Sequence, residues 1–322
     1  MTMNGDTIRR LCGVLGLVIF FTLGATSWAQ LSEAERWAAQ VENACEVEPN
    51  VTYLVANNYE AKLDVYYPPG AKAPVPVVMT IHGGGWIEGT KEASILGALP
   101  YLQMGFAVVN VEYRLAKVSP APAAVEDCLC ALHWIGRNAQ KYHFDLSKVI
   151  VTGDSAGGHL ALTTTMIPFS AGFENECAAD DDDGNHKGPW TDSRPKVAAV
   201  INWYGITDVA DILQGPRIRS YAVTWLGSVP NREDLARRLS PLTYVRAGLP
   251  PVLTIHGDAY RIVPYSHAIR LHDALNKAGV HNQLLTIPGG DHGDFTADQQ
   301  VVAFEAIRQF LAELGITAVA KQ

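Results

Sequence analysis

Ser155 stands at the centre of Gly153-Asp154-Ser155-Ala156-Gly157, after a β-branched run at 149–152 and before a helix-compatible run ending at Met166. A strand that turns sharply into a helix at G-x-S-x-G exposes a serine hydroxyl in strained geometry, because its glycines keep side chains out of the turn. So short a pattern also fits a glycine-rich turn with a buried serine, but two further segments weigh against that. His82-Gly83-Gly84-Gly85-Trp86 follows the apolar run 75–81, and its backbone can present N–H groups to a developing oxyanion. Gly83 and Gly84, with Ala156 just after the serine, are the expected donors. His292, in Pro288-Gly289-Gly290-Asp291-His292-Gly293 after a strand-like run at 283–287, is the expected general base. A hydroxyl nucleophile, a base to take its proton and donors for an oxyanion are what acyl transfer requires.

The other nine histidines read otherwise. His82 belongs structurally to the glycine loop, His256 closes a strand, and His133, His143, His186, His267, His272 and His281 fall in helices or surface loops. His159 follows the elbow on its helix and has no evident proton to move.

A mostly parallel sheet is needed to bring these loops together. Strand-like runs occur at 51–56, 62–67, 75–81, 106–111, 149–152, 197–203, 252–256 and 283–287, and helical patterns at 31–47, 121–141, 155–166, 264–278 and 295–314. This alternation predicts an α/β fold with a central sheet of about eight strands, helices on both faces, and the reactive loops at the strands' carboxyl ends. The short connections between the first strands predict an antiparallel edge. Residues 209–247, with Tyr221, Trp225 and Leu226, interrupt the pattern as a small cap or a surface excursion. Trp86 and Tyr204 sit beside strand ends and are candidates for the substrate-binding wall. Residues 170–195 carry Asp180-Asp181-Asp182-Asp183, a solvated loop whose adjacent carboxylates match calcium-ligand spacing poorly.

The elbow, the glycine loop, Trp203-Tyr204-Gly205-Ile206-Thr207-Asp208, Leu239-Ser240-Pro241-Leu242-Thr243-Tyr244 and the segment from His256 to Pro264 together resemble the esterase branch of the α/β-hydrolases. They are most similar to the feruloyl and acetyl-xylan esterase-like BD-FAE group, near the hormone-sensitive-lipase-like esterases, over roughly residues 48–315. The resemblance implies the α/β-hydrolase fold, Ser155 as nucleophile, His292 as base, and acetyl, feruloyl or other short acyl esters, free or linked to plant polysaccharide, as substrates. It implies no cofactor and no metal. One position departs from the pattern, because Tyr260 occupies the usual place of the acid. A phenol is neutral at pH 7 and cannot stabilise an imidazolium as a carboxylate does. Asp258, two residues earlier, is the favoured replacement and Asp208 the alternative, although the first equally suits a turn brace and the second a helix cap. Asp291 and Asp294 flank the base on its own loop.

Composition bounds the remaining possibilities. With 322 residues, 48% hydrophobic content and 28 glycines, the chain fits one large domain. Arg9-Arg10, an apolar run to Gly24 and Ser27-Trp28-Ala29 read as a signal peptide over 1–29, leaving a catalytic domain over 30–322 with no membrane anchor and a secreted or periplasmic location. Cleavage would remove two arginines and one aspartate and take the net charge from −8 to −9, which argues against nucleic acid as a partner. Of the remaining cysteines, 45, 128, 130 and 177, Cys45 is expected to pair with Cys177 or Cys130. Oligomeric state is not legible. Two rival readings are a serine peptidase of the prolyl-oligopeptidase type, for which the chain lacks an accessory β-domain, and a non-catalytic binding protein derived from an esterase, suggested only by Tyr260.

Overall fold

The computed structural model describes residues 32–43, 45–71, 73–177, 194–259 and 262–317. The expected signal peptide, the aspartate run and Tyr260 lie outside the described residues. The chain divides into two units, residues 1–39 and 40–322. Ser32, in the first, opens α1 (Glu33–Glu42), whose last three residues belong to the second: its Oγ accepts the N–H of Glu35 at 3.2 Å, and Glu35 returns a carboxylate to the N–H of Ser32 at 2.6 Å. This reciprocal cap satisfies donors that the first helical turn leaves open. The helix predicted over 31–47 thus ends earlier, and the following residues join the sheet.

Among the described residues of the second unit, the sheet holds eight strands: β1 (Glu46–Ala56), β2 (Tyr59–Tyr67), β3 (Val75–Ile81), β4 (Ala107–Val111), β5 (Phe144–Asp154), β6 (Val197–Trp203), β7 (Val252–Gly257) and β8 (Asn282–Ile287). Their spatial order is β1-β2-β4-β3-β5-β6-β7-β8. β1 and β2 form an antiparallel hairpin turned by Asn57 and Asn58, both with positive φ, the backbone a two-residue hairpin turn needs. β2 runs antiparallel to β4, and every later pairing is parallel. All seven residues of β3 and all five of β4 are buried, because strands covered on both faces need near-continuous apolar sequence.

Helices cover the sheet. α2 (Ile95–Gln103) follows the glycine loop, α3 (Ala123–Tyr142) joins β4 to β5, and α4 (Ala156–Met166) leaves the elbow. The excursion between β6 and β7 carries α5 (Ser220–Leu226) and α6 (Arg232–Arg238). α7 (Ser266–Lys277) links β7 to β8, and α8 (Ala297–Glu313) follows the His292 loop. Cys130 on α3 bonds Cys177, which corrects both pairings expected for Cys45. No helix among the described residues is long and apolar enough to cross a membrane.

Candidate active site

β5 ends at Asp154, and the next residue makes the turn. Ser155 has φ 54° and ψ −115°, a conformation that costs a non-glycine residue about 1–3 kcal/mol and persists only where neighbours enforce it. They do so here at close range. The N–H of Ser155 donates to the carbonyl of Trp203 at 2.8 Å, tying the turn to the end of β6. A Cβ on Gly157 would run into the carbonyl oxygens of Ile81 and His82, and one on Gly153 into the carbonyl of Gly157. The G-x-S-x-G spacing is therefore set by the packing of the elbow against the end of β3.

The glycine loop lies against the same turn, and one expected donor is redirected. The N–H of Gly83 donates to Asp154 Oδ1 at 3.1 Å, so it points at a carboxylate rather than at the space over Ser155. Gly84 and Gly85 have φ of 108° and 59°, and their N–H groups donate no hydrogen bond among the described residues. Ala156 is the first residue of α4, where helical N–H groups lack intrahelical partners and the helix dipole favours negative charge. The Gly83 N–H, one of the expected donors, is thus engaged by Asp154, while Gly84 and Gly85 keep theirs available among the described residues. Burial pushes the Asp154 carboxyl up to about 6, with the Gly83 N–H acting in the opposite direction.

His292 sits half-buried in the loop after β8. Its ring centroid is 5.5 Å from that of Tyr204, the residue after the carbonyl that holds Ser155, and Tyr204 is itself fixed by its N–H to Ile255 at 2.8 Å. Trp203 and Tyr204 thus meet Ser155 and His292 respectively. Burial lowers the pKa of His292 from 6.5, while the charges of Asp291 and Asp294 oppose that shift.

Among the described residues, the hydrogen bonds of the two expected acids, Asp258 and Asp208, go to groups other than His292. Asp258 Oδ1 accepts the N–H of Gly289 at 2.7 Å, and its own N–H donates to Ile287, so it braces the β7 loop against the β8 loop. Asp208 accepts from Arg270 at 2.8 Å and from the N–H of Asp211 at 3.2 Å, capping the turn that follows. Both carboxylates thus have partners of their own, in the structural roles open to them in sequence. His82 likewise is structural: it stacks on Tyr113 at 4.3 Å, and burial pushes its pKa down to about 4.

Of the two expected wall residues, Trp86 is wholly buried, stacked on Trp225 at 4.1 Å and 15°, so it holds the glycine loop instead of facing a ligand. Tyr204 lines a cavity of about 390 Å³ together with Leu96, Gly97, Tyr101, Trp203 and Phe304. Asp154 and Gly293 also border it, whereas Ser155 and His292 do not. Sequence reasoning passed over Asp154, although its place beside the serine is the signal that it lies under the loop. Among the described residues no cluster of side chains is arranged to hold a metal ion.

Known proteins resemble the chain in family and in fold. The family model described as BD-FAE matches residues 63–275. Carboxylesterase NlhH of Mycobacterium tuberculosis is 38% identical over 109 residues, which are 34% of each chain, so this chain spans about a third of that relative's length. Among solved structures, the propionate-bound esterase Est2 of Thermogutta terrifontis superposes with a TM-score of 0.67 at 26% identity, covering 87% of this chain and 97% of that one. A truncated carbohydrate esterase from gut microbiota does so at 0.67 and 27%, covering 85% and 98%.

Proposed function

The chain belongs to the BD-FAE family, whose model spans most of it, and on that premise we propose that it is a serine carboxylesterase acting on short-chain acyl esters. The observation that carries the reading is the joint anchoring of nucleophile and base on the end of β6: Ser155 N–H on Trp203 O, and His292 against Tyr204.

Ser155 Oγ attacks the ester carbonyl as His292 takes its proton. The carbonyl electron pair moves to oxygen, and that oxyanion is met by the N–H groups of Gly84, Gly85 and Ala156. Each such donor is worth about 3–4 kcal/mol at the transition state. Collapse expels the alcohol, protonated by His292, and leaves an acyl-enzyme. Water, deprotonated by the same histidine, then releases the acid and restores Ser155. The imidazolium formed in each half is supported by the fields of Asp291 and Asp294, in a Ser-His pair without Asp258 or Asp208.

The propionate and butyrate held by the Thermogutta esterase support a short acyl group. Acetyl or feruloyl groups on plant polysaccharide are the natural candidates, supported by the likeness to a carbohydrate esterase. Export to an oxidising compartment is in keeping with the Cys130–Cys177 bond. Hydrolysis of p-nitrophenyl acetate, butyrate and octanoate beside an aminoacyl-anilide tests the reading. It predicts turnover of the two short esters, slower octanoate and no anilide cleavage; preference for the anilide would replace it with a peptidase.

A further inference from the structure

The two halves of the proposed donor set come from different elements, Gly84 and Gly85 from the loop after β3 and Ala156 from α4, and catalysis needs them fixed relative to each other. The loop does not hold itself. Trp86, directly after the glycines, has φ 61°, a left-handed conformation that a bulky residue keeps only under restraint. The restraint is on its indole. The ring is stacked on Trp225 of α5 and edge-on to His159 at 4.9 Å, and its Nε1–H donates to His159 Nδ1 at 3.2 Å. His159 lies on α4 one turn after Ser155, the helix that presents Ala156.

Because Nδ1 accepts from the indole, the imidazole proton is on Nε2, which donates to the carbonyl of Leu239 at 2.7 Å. That carbonyl is at the end of α6, where helical C=O groups need an outside partner. Imidazole, indole and both ring contacts are fully buried, and burial keeps His159 neutral, with its pKa pushed down to about 4.

We propose that His159 is a positioning residue for the oxyanion hole, a neutral bridge that locks the Trp86 loop to the nucleophile helix and, through Leu239, to the excursion between β6 and β7. In this arrangement the excursion is a fixed strut for the site rather than a lid. The proposal rests on the ester-hydrolase reading and adds to it a residue that touches no substrate.

The chemistry of the bridge sets the test. His159→Gln keeps an acceptor for the indole and a donor for Leu239, whereas His159→Leu fills similar space with neither. Displacing donors by about an ångström costs on the order of 100-fold in rate, so His159→Leu is expected to lose about 10- to 100-fold in kcat with KM changed less than about 3-fold, and His159→Gln to recover most of that loss. An alkyl trifluoromethyl ketone adds to Ser155 and places an oxyanion on the donors. Its inhibition constant is expected to rise in parallel with the loss in kcat/KM across the variants, which a role in folding alone would not produce. If His159→Leu does not fold, Trp86→Phe removes the indole donor while keeping a ring in the stack, and is expected to lose about 10-fold in kcat with the same parallel weakening. Wild-type-like kcat and inhibitor affinity in the folded variant, or kcat loss without inhibitor weakening, would overturn the proposal. Failure of wild-type protein to hydrolyse any ester would instead overturn the functional reading.

Discussion

Burial and charge act on His292 in opposite senses: desolvation disfavours the imidazolium, Asp291 and Asp294 favour it, and desolvation prevails. A general base works in its neutral form, so a lowered pKa keeps it competent further into acid. kcat/KM reports the free enzyme's groups, and the midpoint of its acid limb is predicted to lie below pH 6.5. Replacing Asp291 and Asp294 with asparagine removes the opposing charges and should move the acid limb lower still; an upward move would contradict the assignment. The acid question is sharper. If Asp258 oriented His292, Asp258→Asn would lower kcat about 10⁴-fold, the cost of a lost triad carboxylate. With its Oδ1 on Gly289, the expected loss is under about 10-fold, and steady-state rates of Asp258→Asn and Asp208→Asn separate the two accounts.

Elements that lie in the middle of the sheet were legible because burial on both faces leaves only apolar residues to choose from. The runs at 75–81 and 197–203 coincide with β3 and β6. α2 escaped notice because Gly97 and Pro100 interrupt it, and a nine-residue helix with both reads as a loop. The glycine loop is legible as a motif, but where the Gly83 N–H points depends on a contact between residues 71 positions apart, Gly83 and Asp154. No local pattern encodes that contact. The acid was illegible for a related reason, since the direction of the Asp258 carboxylate is set by the path of the β8 loop at Gly289. At the helix after that loop the encoding is local: Thr296 Oγ1 accepts the N–H of Gln299, whose side chain caps Thr296 in return. Thr296→Ala is predicted to lower stability by about 1 kcal/mol in denaturant unfolding while leaving kcat unchanged, because the cap holds α8 and not the reacting groups.

Across the whole molecule, the order β3-β5-β6-β7-β8 places the glycine loop, Ser155, Trp203-Tyr204, Asp258 and His292 at successive carboxyl ends of parallel strands, the crevice where open α/β sheets bind ligands. That placement is what the sequence order serine then histidine anticipates. The central claim is that one hydroxyl in this crevice is a nucleophile activated by His292. Intact-mass analysis after treatment with a fluorophosphonate tests it most directly. The account predicts a single adduct on wild-type protein, located on Ser155, absent from Ser155→Ala and formed far more slowly in His292→Ala. No adduct on wild type, or one that survives Ser155→Ala, would contradict it.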